Sequence, residues 1–253
     1  MKVETLTRWA ATIVLSCSLA SFASASSGDK KDKPKPPAVQ VVDSGSFGIF
    51  VKGQRVATET FRIEQENGNS VIKSQLKETD GADSVNQKSE LQISAKGELL
   101  RYEWSQTTGS SLSVFPDNDF LKERIITSAG AKPVEQPFLL PSTSPILDNN
   151  FFIQREVLAW KYLAVAPCND QNGKRHCETA DFGTLVPQAR SSISVRMELV
   201  GKEKVSIRGT EHELLRLDLH GEGFDWNLWL DEHDQFKLMR VAIPADNTEV
   251  VRD

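Results

Sequence analysis

The chain has 253 residues, 39% of them hydrophobic, with 30 basic against 35 acidic side chains and a formal net charge of −5. That length suits one large all-β domain or two small ones. The acidic balance, with no basic aromatic platform, argues against nucleic acid, whose phosphates would be repelled and whose bases would find nothing to stack on.

The first element is a leader. Met1 to Arg8 carries Lys2 and Arg8, Trp9 to Leu19 is apolar, and Ala23-Ser24-Ala25 supplies the small-x-small pattern of a signal-peptidase site. The apolar stretch is too short to span a bilayer. The expectation is export, with cleavage after Ala25, to the periplasm or outside the cell. Val14-Leu15-Ser16-Cys17 loosely resembles a lipobox, which makes lipid anchoring through Cys17 the minor alternative; Leu15 is large for its position. The leader's Lys2 and Arg8 against Glu4 amount to +1, so the mature chain carries −6. Residues 26–38 are rich in Ser, Lys and Pro and read as a disordered tether, with nothing to bury.

From residue 39 onward the pattern is strand after strand. Phe47 to Val51 and Val56 to Ile63 flank a Lys52-Gly53-Gln54 turn, and Glu66-Asn67-Gly68-Asn69 is a hairpin turn. Ile72, Ser74 and Leu76 alternate onto one face. Beyond Ala95-Lys96-Gly97, Leu100, Tyr102 and Trp104 are expected to share a face. Turns every 8 to 12 residues or so mark an antiparallel β domain.

Residues 146–163 break the rhythm and predict the main helix, begun by Ser144-Pro145 or capped later by Asp148. Asn150, Gln154 and Lys161 form a narrow polar stripe, and most of the remaining circumference is apolar. Such a helix must be enclosed, here by a strongly curved sheet. Cys168 and Cys177 then bracket a polar, Gly-containing loop and, in an oxidising compartment, predict a disulfide. A metal site with His176 lacks the usual ligand spacing and number.

Strands resume with Ile193, Val195, Met197 and Leu199 on one face, a Gly201-Lys202-Glu203 turn, and then Leu215, Leu217 and Leu219. Phe224, Trp226, Leu228 and Leu230 share the next face. Trp229 falls on the opposite side with Asp225, Asn227 and Asp231, which places it partly exposed at a partner surface. The whole predicts about ten strands and one main helix, folded as a single large antiparallel sheet curved into an incomplete barrel around that helix, over residues 39–253.

No catalytic signature is present: no Gly-x-Ser-x-Gly, no phosphate-binding loop, no His-Glu-x-x-His. His212-Glu213 lacks the second histidine, and Asp231 to Asp234 reads as a solvated turn rather than a cation site. Nothing suggests a cofactor or a resident metal. The aromatic residues say more. Trp104, Phe151, Phe152, Trp160, Tyr162 and Trp226 concentrate on the helix and on strands expected to face it. They are either core packing or the lining of an apolar cavity.

Phe47 to Phe61, Leu147 to Phe152, and Trp229 to Asp231 with Arg240 to Pro244 together carry a resemblance. Over most of residues 45–252, in order of elements, the chain resembles periplasmic domains of unknown function that are similar in architecture to the lipoprotein carriers LolA and LolB. The resemblance implies an incomplete β-barrel over a helical plug that holds acyl chains, and no catalytic residues. The expected function is non-enzymatic binding of a lipid or other hydrophobic molecule, or of an envelope protein. A filled interaction module and a hydrolase with a site assembled from scattered residues are the alternatives.

Overall fold

The structure, a computed structural model, describes residues 39–79, 86–171 and 174–253. The expected leader with Cys17 and the expected tether at 26–38 lie outside the described residues. Among the described residues the chain forms β1 (Gln40–Val51), β2 (Gln54–Glu66), β3 (Asn69–Glu78), β4 (Gln87–Ile93), β5 (Leu99–Gln106), β6 (Ser111–Asp117), β7 (Phe120–Ile126) and β8 (Val134–Phe138). After α1 (Ile153–Val165) come β9 (Cys168–Gln171), β10 (Lys174–Cys177), β11 (Ala180–Val186), β12 (Ser191–Ile207), β13 (Thr210–Gly221), β14 (Phe224–Asp231), β15 (Lys237–Ile243) and β16 (Thr248–Arg252).

Fourteen strands make one antiparallel sheet in the order β11-β12-β13-β14-β15-β16-β1-β2-β3-β4-β5-β6-β7-β8. The sheet is not closed into a barrel. Each neighbour is a hairpin partner except at the centre, where β16 pairs with β1 from Phe47 opposite Arg252 to Val51 opposite Thr248. The hairpins turn where the sequence permits positive φ, as at Asn67 (φ 52°) followed by Gly68 (φ 83°). Residues 145–147 run beside edge strand β11, with Leu147 N–H donating to the Leu185 carbonyl at 2.9 Å and Leu185 N–H to the Pro145 carbonyl at 3.0 Å. One outer edge is thereby covered.

One face of the sheet carries Phe47, Phe61, Ile63, Ile72, Leu91, Tyr102, Val114, Leu121, Leu217 and Leu228 and packs with Ile153, Leu158, Ala159 and Tyr162 of α1 in one continuous core. Bulges set which residues belong to it, and two of them overturn the simple alternation. Opposite Gln92 and Ile93 the register skips Leu100, so Leu99 is buried and Leu100 is 42% exposed, contrary to the simple alternation. The expected turn at Gly201-Lys202-Glu203 is instead a bulge at Val200 within the 17-residue β12. It reverses the alternation, so Val195 and Met197 face the core whereas Val205 and Ile207 face out.

Those two residues join Leu214 and Trp229 in a second, smaller core on the outer face. Trp229 is therefore 5% exposed rather than displayed to a partner. Arg216 and Arg240 lie over its ring at 5.9 and 4.8 Å, and its Nε1–H donates to Glu203 at 3.0 Å. The helix starts at Ile153, later than the expected 146, because Asp148 makes a local turn, accepting the Asn150 N–H at 2.7 Å. The Cys168–Cys177 disulfide is present, joining directly opposed residues of the separate β9–β10 hairpin.

Candidate functional site

The stripe of Asn150, Gln154 and Lys161 reveals only one of the polar groups that matter most in the interior. Gln154, Arg155 and Glu156 are all buried at the start of α1. Three successive helical residues span about 200° of the circumference, so in an enclosed helix at least one polar group must point inward. That was the available signal.

Glu59, inward on β2 and 0% exposed, closes the helix N-terminus. Its carboxylate accepts the Phe152 N–H at 2.6 Å, the Ile153 N–H at 3.3 Å and the Ser74 hydroxyl at 2.6 Å. Phe152 at the cap position has no side chain able to do this. Burial pushes Glu59 up to about 7, against the pull of those donors and of Arg155. Arg155 donates to the carbonyls of Asp148 and Phe151, and its guanidinium lies 4.9 Å from the Phe152 ring and 4.6 Å from the Trp226 ring. Burial lowers it to about 10, while Asp148 and Glu59 favour its charge. Asp148 accepts from Tyr102 and Gln188, and burial raises its pKa.

A second cluster joins α1 to the middle of the sheet. Arg252 forks onto Asp43 at 2.5 and 3.2 Å, reaches Glu156 at 3.1 Å, and stacks over Phe47 and Phe61. Glu156 also accepts the Leu238 N–H at 2.7 Å. Burial, then the charge of Asp43, pushes Glu156 up to about 8. Burial opposes ionisation of Asp43 too, but Arg252 outweighs it and holds that carboxyl below its ordinary value. Glu123 on β7 differs: it is 0% exposed, neither carboxylate oxygen has a partner, and burial pushes it up to about 7. Glu59, Asp148 and Glu156 are buried, and their bonds fasten the helix and the turn before it; Glu123 makes none.

All six aromatic candidates belong to or pack against the main core. Phe151, Phe152 and Tyr162 are buried; Trp104, Trp160 and Trp226 are half-buried. The polar atoms of three of them are bonded internally: Trp104 to Gln87 at 2.9 Å, Trp160 to the Phe236 carbonyl at 3.0 Å, and Tyr162 to Glu178 and Leu199, each at 3.0 Å.

Outside, the solvent face of β2–β7 is hollowed into an open trough of about 920 Å³. Strand register builds its floor. Arg62, Lys73, Glu90, Glu103, Ser113 and Arg124 lie side by side in one row, and Thr60, Gln75, Lys88, Ser105 and Ser111 in the next. With Arg101, the lining holds five cations against two carboxylates. Glu90 and Glu103 face each other, a like-charge pairing relieved by Gln92 and Arg101, each donating at 2.6 Å.

Elsewhere, Glu198, Asp218 and His220 offer ligand atoms within 4.8 Å of one another. Asp218 is already engaged by Arg216 and Asn227, and His220 by Asp225. His212 and Glu213 lie on β13, not on a helix.

No protein-family model and no curated protein matches the sequence. Among solved structures, the chain is similar to a β-barrel-like protein of domain of unknown function DUF1849 from Brucella abortus, with a TM-score of 0.51 and 7% identity, over 85% of this chain and 97% of that one. At that identity the likeness speaks for a β-barrel-like fold alone.

Proposed function

We propose that the chain is an exported envelope protein that acts by binding rather than by catalysis, with the trough on β2–β7 as its binding surface. The observation that carries this reading is the trough itself: about 920 Å³, open to solvent and lined by cations from five strands of a chain whose net charge is −5. The leader supports delivery to the envelope, and the internally bonded aromatic core supports a helix that serves as a fixed plug.

The test is to express the full chain in a bacterium, check for removal of residues 1–25, and measure co-sedimentation with envelope fractions. Wild type is expected in the envelope pellet, and Arg62→Glu/Lys88→Glu/Arg124→Glu in the soluble periplasmic fraction. Equal sedimentation of the two would sink the trough. A second reading, implied by the LolA and LolB resemblance, lodges an acyl chain between α1 and the sheet. It draws support from Phe152 and Trp226 flanking a buried Arg155 whose Nε and Nη2 have no partner. A lipid retained in native mass spectrometry and lost on Phe152→Ala would favour it.

A further inference from the structure

Resting on the trough as the binding surface, we infer that its ligand is an acidic sugar chain: a carboxylated, sulfated or phosphorylated polysaccharide. Size is the first argument. The trough crosses six strands, and at roughly 4.8 Å between strands its floor is about 24 Å wide. That length suits several linked units rather than one small molecule.

Charge is the second. Arg62 is held by Glu64 at 2.7 Å and Arg101 by Glu103 at 2.6 Å. Lys88 and Arg124 have no acidic partner within 4.0 Å among the described residues. They stand on β4 and β7, about 14 Å apart across the strands, on either side of the Glu103 strand. Two free cations at that separation fit anionic groups repeated along a chain, not a single charge.

The rest of the floor decides between polyanions. Thr60, Gln75, Ser105, Ser111 and Ser113 present hydroxyls and an amide, which both donate and accept as sugar hydroxyls do. The two aromatic residues bordering the trough, Phe61 and Trp104, belong to the inner face, the first buried and the second bonded to Gln87. Among the described residues lining the trough, no ring is offered on which a nucleobase would stack, nor one for the face of a neutral sugar. Affinity therefore rests on charge, and specificity on the hydroxyls.

Affinity electrophoresis of the full chain provides the test, in gels containing polygalacturonate or dextran sulfate, the neutral polymers amylose or dextran, or poly(dT). At least one acidic glycan should retard the protein, with retardation fading as salt is raised. Lys88→Glu/Arg124→Glu should weaken it tenfold or more, whereas Lys96→Glu/Lys132→Glu, reversed charges outside the trough, should not. Thermal melts of both variants verify that folding is intact. Equal retardation by neutral glycans, or by poly(dT), overturns the acidic-sugar assignment while leaving a binding trough in place. No retardation by any glycan, with envelope co-sedimentation still dependent on the trough, overturns it as well. Loss of that dependence overturns the underlying reading instead.

Discussion

Glu59 and Glu123 are equally inaccessible, and both are held near 7, yet they do opposite things. Glu59 satisfies two backbone donors at the mouth of α1; Glu123 has no donor at all. Glu59→Ala should cost about 2–4 kcal/mol, since it strands buried N–H groups, and Glu59→Gln, which keeps an acceptor, should cost less; urea unfolding at pH 7 reads both. Glu123→Gln should instead stabilise the protein at pH 8, by about 3 kcal/mol, and leave it nearly unchanged at pH 4, where the carboxyl is protonated in the folded chain and mostly so in the unfolded one. A Glu123→Gln chain less stable than wild type at pH 8 would contradict the unpartnered carboxylate. At this scale the sequence was least legible. Glu156 gives no sign of its role because its partners are distant in the chain: Glu156 and Arg252 are 96 residues apart, and Glu156 and Leu238 are 82 apart.

Elements were easier to foresee. Period-two alternation led to about ten strands where the described residues form sixteen, passing over β6, β7, β8, β11 and β16 among others; Asn67-Gly68 marked its hairpin, and the apolar girth of residues 151–163 required an enclosed helix. What the pattern hides is a bulge. A single skipped residue at Leu100 or Val200 reverses the two-residue period, and either side of it still reads as an ordinary strand. That is why Gly201 looked like a turn and why Trp229 looked exposed. The trough escaped notice for a related reason: Arg62, Lys73, Lys88 and Arg124 each resemble the outward residue of an unremarkable strand, and only the register gathers them. The β9–β10 hairpin stands apart from the large sheet. Cys168→Ser/Cys177→Ser should lower stability by about 2–3 kcal/mol while leaving the far-ultraviolet dichroism of the sheet intact; a collapse of that signal would mean the hairpin organises the fold.

For the molecule as a whole, the buried acids set the pH response. Glu156, Glu59 and Glu123 have folded values of about 8, 7 and 7, above the ordinary 4.5. Folding therefore retains protons that the unfolded chain releases. Their stabilising share is complete below about 4.5 and is lost as pH climbs through 7 to 8. Asp43 is shifted the other way, and its share is lost as pH falls below its ordinary 3.8. Calorimetry should show a higher melting temperature at pH 5 than at pH 8.5, a fall below pH 4, and a flatter alkaline limb in Glu156→Gln. A melting temperature that rises from pH 5 to 8.5 would refute this arrangement.

The central pairing of β1 with β16 has a consequence for how the molecule comes together. On either side of it lies a meander, β1–β8 and β11–β16, whose rungs all join neighbours in sequence and so close quickly from their own turns. The seam alone demands a long search, with Asp43 and Arg252 209 residues apart. Arg252 also grips Glu156 of the helix. The same guanidinium thus latches one arm to the other and the plug to both, so that completing the sheet and seating the helix become one cooperative act.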